Sequence, residues 1–222
     1  MLPCTLEDRK EISDLAVTTR LLVAPPLVLA STSPYRRELL ARLRVPFACM
    51  SPGVDEIERP GEAGLERAER LSIEKACALA AQLPGALIIG ADQVAVIDGQ
   101  VTDKPITHAN ARRQLARVSG GELTLYSGLA LHDTRSGLTR ARVIPCRVLF
   151  RELSEETIET YLLADQPYDC AGSARIEGLG ISLLRGVECE DPSAIIGLPL
   201  IALTGLLLEA GYAIPAQPAP SV

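Results

Sequence analysis

Between Leu27 and Arg37 the chain reads Leu27-Val28-Leu29-Ala30-Ser31-Thr32-Ser33-Pro34-Tyr35-Arg36-Arg37. Four apolar residues suit a short buried strand, and the three hydroxyl residues with Pro34 suit a turn into a helix. Ser33 is placed to cap that helix and Pro34 to open it. A strand that ends in such a turn leaves backbone N–H groups and the positive end of a helix dipole facing outward. Arg36 and Arg37, inside the first turns, add fixed charge and forked donors. This combination holds phosphate.

Other chemistry-bearing residues are scattered further along. Asp92-Gln93 follows the apolar run Ala86-Leu87-Ile88-Ile89-Gly90-Ala91. An acid at the carboxyl end of a buried strand is where open α/β sheets place their chemistry. Asp55-Glu56 lies in a loop after the short β segment Val45–Met50. Lys75 falls four residues after Leu71, near the apolar face of a long helix read over 62–82, whose face is Leu65, Ala68, Leu71, Ala76 and Leu79. Such a lysine either snorkels or meets a ligand. Asp103-Lys104-Pro105 follows a hairpin signal at Asp98-Gly99.

The elements that must position these residues alternate. A helix from Pro34 to Leu43 precedes the Val45–Met50 segment and the long helix. Thr107 caps a helix to Val118. Leu123–Leu131 and Leu138–Phe150 read as antiparallel strands around Ser136-Gly137. Ser154 opens a helix with Ile158, Tyr161 and Leu162 inward, Ile181–Leu184 reads as a strand, and Pro199 begins a last apolar helix to Ala210. Helices alternating with strands, but with hairpins in the middle, predict an α/β fold with a mixed twisted sheet and flanking helices. The body runs over 25–212 without a linker. Residues 1–24 read as an extension, and the Pro/Ala-rich stretch 213–222 reads as a disordered tail.

Composition narrows the function. A net charge of -6 gives no footprint for nucleic acid or for an anionic membrane, so any phosphate must be held by a local cluster. Aromatic residues at 3% and the absence of Trp exclude a stacking platform for single strands. No apolar run is long enough to span a bilayer. Pro25-Pro26 and the preceding acids argue against a signal peptide at 21–30. The six cysteines have no metal-type spacing and are expected to be reduced, core-filling thiols of a cytoplasmic protein. His108 and His132 lie in no motif, so a histidine base is not expected. Asp55 is read as structural, and Asp103 and Asp191 as turn and cap residues.

Taken in order, Ser31-Thr32-Ser33-Pro34-Tyr35-Arg36-Arg37, Asp55-Glu56, Glu74-Lys75-Ala76, Gly90-Ala91-Asp92-Gln93, Lys104-Pro105, Tyr126-Ser127-Gly128 and Ala171-Gly172-Ser173 closely resemble the Maf family of nucleoside triphosphate pyrophosphatases over 27–210. The resemblance implies a two-lobed fold like that of the inosine triphosphate pyrophosphatases, with a central nucleotide cleft. It also implies cleavage between the α- and β-phosphates with a divalent metal, Mg²⁺ or Mn²⁺. Matched position by position, it makes Asp92 the catalytic acid and a metal ligand, and Glu56 the metal-associated acid. Ser31, Arg36, Arg37, Lys75 and Lys104 become phosphate contacts.

Three positions, Tyr35, Gln93 and Glu177, divide this family by substrate. An aromatic, Gln and Glu resemble the subfamily acting on 7-methyl-GTP, although Arg175-Ile176 stands where that pattern has Lys-Ser. The chemistry agrees, because methylated guanine is a delocalised cation that suits an aromatic face, and its N1–H and amine suit a carboxylate. A dTTP/UTP pyrophosphatase, and a nucleotide-binding regulator of septum formation without turnover, are the alternatives. The expected partner is a small nucleotide, without nucleic acid or membrane, and a homodimer is left open.

Overall fold

The computed structural model describes residues 24–215, so most of the extension and tail lies outside the described residues. Seven strands form one mixed sheet in the order β2-β1-β3-β5-β6-β7, with β4 paired to β3. The strands are β1 (Leu27–Ala30), β2 (Ala48–Met50), β3 (Leu87–Ile97), β4 (Gln100–Thr102), β5 (Glu122–Asp133), β6 (Leu138–Phe150) and β7 (Leu184–Cys189). β1 pairs in parallel with β2 and β3, and every other pairing is antiparallel. The mixed sheet expected from the hairpin signals is therefore present. Asp98 and Gly99 take the positive φ values, 52° and 74°, that the two-residue hairpin turn requires.

Helix α1 (Pro34–Ala41) starts as its sequence dictates: the Ser33 side chain accepts the N–H of Arg36, and Pro34 occupies the first turn. Helix α2 (Gly64–Ala78) buries Ala68, Leu71, Ser72, Lys75 and Ala76 on one stripe. It is shorter than the span read over 62–82, breaking before a 3₁₀ turn at Ala80–Gln82. Leu65, assigned to its inward face, is 44% exposed, because the neighbouring Gly64 is the residue that meets Val96 and Tyr126. Helices α3 (His108–Val118), α4 (Glu155–Asp165) and α5 (Leu200–Glu209) follow the expected caps Thr107, Ser154 and Pro199. Ile181–Leu184, expected as a strand, instead ends a 3₁₀ segment (Leu179–Leu183), and extended pairing begins at Leu184.

Two large apolar clusters fill the two lobes. One packs α3 and α4 under β5, β6 and β7 through Leu115, Leu123, Val148, Phe150 and Ile158. The other packs α1 and α5 on β1 and β3 through Leu29, Leu39, Leu40, Leu87 and Leu203. Helix α2 lies on the opposite face, against β3 and β5. Two glycines permit that contact. A Cβ on Gly90 would stand 2.1 Å from the Ser72 carbonyl oxygen, and one on Gly128 would stand 2.0 Å from that of Ala68. The helix backbone thus rests almost directly on the strand backbones.

Cys146 and Cys189 form a disulfide between β6 and β7, which corrects the expectation that every cysteine is reduced. The pair is 43 residues apart in sequence but directly opposed in the ladder, with Cα atoms 4.5 Å apart. Linear spacing does not reveal such a register. Cys49, Cys77 and Cys170 are free thiols. No helix among the described residues is long and apolar enough to cross a membrane.

Candidate active site

The site is built where β3 changes partners. β1 accompanies β3 only through Ile89, and β4 joins the same strand only from Ala95. Between them, the stretch from Gly90 to Val94 has no strand neighbour on that edge among the described residues, while β5 stays paired to the other. Asp92 lies in this gap. The strand does not stop there, as the apolar run suggested, but continues to Ile97. Alternation of side chains along β3 then separates two roles. Asp92, in phase with Gly90, faces α2, and Gln93 faces the side of α1 and α5.

On the α2 side, the Lys75 ammonium donates to Asp92 Oδ1 at 2.5 Å and to Glu56 Oε1 at 2.6 Å. Lys75 and Asp92 are 6% and 5% exposed, and the Glu56 side chain is 55% exposed. A lysine this deep on the inward stripe of a helix needs a counter-charge, and Asp92 supplies it. Burial tends to raise the Glu56 carboxyl, but the hydrogen bond and charge of Lys75, with Lys104 and Arg36, hold it below its ordinary value.

On the other side, Gln93 Nε2 donates to Ser127 Oγ at 3.0 Å and to the carbonyls of Ala194 and Ile195 at 3.0 and 3.2 Å. Arg36 Nε donates to the Gly197 carbonyl at 2.9 Å. Burial lowers the pKa of Arg36, and Asp92 and Glu56 act against that shift. Arginine stays charged regardless. The segment that offers these carbonyls is pinned by Asp191. Its Oδ1 accepts from the backbone N–H and hydroxyl of Ser193 at 3.2 and 2.6 Å. Its Oδ2 accepts from the N–H groups of Ile201 and Ala202 at 2.7 and 3.1 Å. Sequence reading took Asp191 for a cap residue; it also anchors the loop that positions Arg36 and Gln93.

In the phosphate-type turn, Ser31 is buried and its Oγ accepts the N–H of Ser33 at 3.1 Å. The turn is therefore held from within before any anion arrives. One cavity of about 470 Å³ brings together Ser31, Tyr35, Arg36, Glu56, Lys75, Asp92, Gln93, Lys104 and Glu177. Arg37 is not among its lining residues; it sits on the exposed face of α1. Asp169 and Cys170, which the sequence reading did not single out, join Tyr35 and Glu177 in the wall. Burial, with Asp169 beside it, pushes the Cys170 thiol up to about 12, which favours the protonated form. Arg175 lies behind that wall, bonded to Asp165 Oδ1 at 3.0 Å.

No cluster of three or more His, Cys, Asp or Glu side chains with metal-holding geometry occurs among the described residues. Two carboxylates, Glu56 and Asp92, converge on one ammonium instead. That donor set suits a hard cation of the Mg²⁺ type, which takes one or two carboxylates and completes its shell with water and substrate phosphates.

Residues 26–210 match the family described as Maf-like protein. The chain belongs to that family. Among its relatives, the 7-methyl-GTP pyrophosphatase of Pseudomonas syringae pv. tomato is 52% identical over 191 residues, covering 86% of this chain and 100% of its own. Those of Cupriavidus metallidurans and Nitrosospira multiformis, under the same name, are 52% and 50% identical; they cover 85% and 86% of this chain and 94% and 97% of their own. Among solved structures, the Staphylococcus aureus Ham1 protein matches with a TM-score of 0.41 and 14% identity, over 56% of this chain and 71% of its own. The matched span contains every residue of the Lys75–Asp92–Glu56 cluster.

Proposed function

We propose that the protein hydrolyses 7-methyl-GTP to 7-methyl-GMP and pyrophosphate in the cytoplasm, clearing a modified nucleotide from the pool. The observation that carries this reading is that a single cavity is lined both by the buried Lys75–Asp92 pair and by Tyr35 and Glu177. The first set suits phosphate chemistry, and the second suits a cationic purine. The relatives at 50–52% identity named for this activity support the same substrate.

In this reading the Ser31–Ser33 turn, Arg36, Lys75 and Lys104 offset the charge of the triphosphate. Asp92 Oδ1 is engaged by Lys75, which fixes the carboxylate and leaves Oδ2 to take a proton from water. Water attacks the α-phosphorus, its proton passes to Asp92, and the bond from the α-phosphorus to the bridging oxygen breaks. The electron pair leaves on pyrophosphate. Glu56 and Asp92 would hold the divalent cation, which when bound neutralises phosphate charge. Tyr35 lies against the purine ring and Glu177 accepts from its N1–H and amine.

The test is an initial-rate panel of 7-methyl-GTP, GTP, UTP and dTTP with Mg²⁺ and with Mn²⁺, following pyrophosphate. The expected result is the highest kcat/KM for 7-methyl-GTP. A preference for UTP or dTTP would overturn the substrate. No pyrophosphate from any triphosphate would overturn the activity.

A further inference from the structure

His108 stands in no motif and does not line the cleft, yet it ties together two places on other elements. It is the first residue of α3. Its Nε2 lies 3.0 Å from Glu159 Oε2 on α4, and its Nδ1 lies 2.9 Å from the Tyr168 hydroxyl. A carboxylate only accepts, so Nε2 carries the proton and Nδ1 is left to accept from Tyr168. The other acceptor within reach of that hydroxyl, the Leu162 carbonyl, is further off at 3.4 Å. Both ring nitrogens are thus committed.

Tyr168 belongs to the segment that follows α4, and its carbonyl accepts the Ile106 N–H at 3.0 Å. Ile106 comes two residues after Lys104, and Tyr168 immediately precedes Asp169, Cys170 and Ala171. Lys104 and those three residues all line the cleft. Helix α3 grips the same two stretches again one and two turns further on. Asn110 Nδ2 donates to the Pro105 carbonyl at 2.9 Å, and Gln114 Nε2 donates to the Asp103 carbonyl at 2.9 Å. Gln114 Oε1 also accepts the Ser173 hydroxyl. The helix is therefore a splint between 103–107 and 166–173. The backbone shows the restraint. Ile106, Gln166 and Ser173 have φ of 61°, 46° and 59°, three of the five non-glycine residues with positive φ among the described residues. For a β-branched residue such as Ile106 this state is rare, and it persists only where the surroundings impose it.

We infer that His108 is a positioning residue: through Tyr168 it sets the Asp169–Ala171 wall against the Lys104 loop, so that a nucleotide meets a cleft already spaced for it. The inference rests on the pyrophosphatase reading for what the two walls hold. A wall that the ligand itself must order weakens binding by the cost of that ordering. Loss of the tie therefore falls on affinity. The acids are carried by β3 and the loop before α2, and Lys75 by α2 itself. Neither His108 nor Tyr168 bonds to any of these among the described residues, so the step at phosphorus is left as it was.

The experiment measures initial rates on 7-methyl-GTP for His108→Leu, Tyr168→Phe and the double variant. Backbone amide deuterium exchange of the full chain without nucleotide is measured beside them. Each single variant is expected to raise KM about fivefold, the scale of one lost hydrogen bond, with kcat within about twofold. The double variant is expected to lie within about twofold of either single one, because both remove the same bond. His108→Asn, whose amide reaches the place of Nδ1, is expected to restore KM toward the wild type. Amides over 104–107 and 166–173 are expected to exchange faster in both single variants, with β3 unchanged. An unchanged KM in Tyr168→Phe, a fall in kcat alone, or unchanged exchange in the two stretches would overturn the inference. A wild type that hydrolyses no triphosphate would instead sink the functional reading, and the exchange comparison, which needs no turnover, tells the two failures apart.

Discussion

One ammonium holding two carboxylates defines the chemistry at the scale of the residue. Lys75 neutralises Asp92 in the interior and reaches Glu56 at the rim, so the acid that faces water is oriented before substrate binds. Asp92→Asn keeps the shape but removes the proton acceptor we propose. It is expected to lower kcat by about 10²- to 10⁴-fold with folding retained, checked by rate and thermal melt together. The base end predicts a different signature. Glu177→Gln places a donor against guanine donors, which costs about 1–3 kcal/mol, or roughly 10- to 100-fold in the kcat/KM ratio of 7-methyl-GTP to UTP. An unchanged ratio would remove Glu177 from base recognition. Glu56 predicts a pH dependence. Its folded pKa lies below its unfolded value, so the stability from its pair with Lys75 is complete above the ordinary carboxylate range, about 4.3. That contribution is lost as pH falls through the lower folded value. The difference in unfolding free energy between wild type and Glu56→Gln is expected to be flat from neutrality down to about pH 5 and to shrink below about 4.3.

At the scale of the element, the site depends on backbone contacts as much as on side chains. Gly90→Ala would drive a Cβ into the Ser72 carbonyl, and a helix backbone cannot yield as a flexible side chain can. The expected outcome is a loss of about 1–3 kcal/mol or more in denaturant unfolding, with kcat falling because α2 carries Lys75. Asp191→Ala would release the Ala194–Gly197 carbonyls from outside the cleft. A loss of about 1–3 kcal/mol, with kcat/KM falling equally for every triphosphate, would mark Asp191 as a positioning residue. This is also the scale at which the sequence was least legible. Local chemistry showed well: Ser33 and Pro34 announced α1, Thr107 announced α3, and Asp98-Gly99 announced the β3–β4 turn. Features created by pairing did not. Asp92 was read as ending a strand because its apolar run stops there, whereas the strand runs on by changing partners. The Cys146–Cys189 pair depends on β6–β7 register. Carbonyls from Ala194, Ile195 and Gly197 leave no side-chain signature.

At the scale of the molecule, two apolar clusters and a shared sheet frame the cleft, and the ordered motif series supplied half of its lining. The edge gap in β3 has a consequence for dynamics. Amide hydrogens along β1, β3 and β5 belong to the centre of the sheet and should exchange with deuterated solvent only on the slow, global timescale. From Gly90 to Val94 one edge has no neighbouring strand among the described residues, so the amides pointing to that side should exchange early, an island of fast labelling inside the slowest element. A bound nucleotide covers that edge and should slow the island selectively. Asp92 and its neighbours, to which we assign the chemistry, would thereby report their own occupancy.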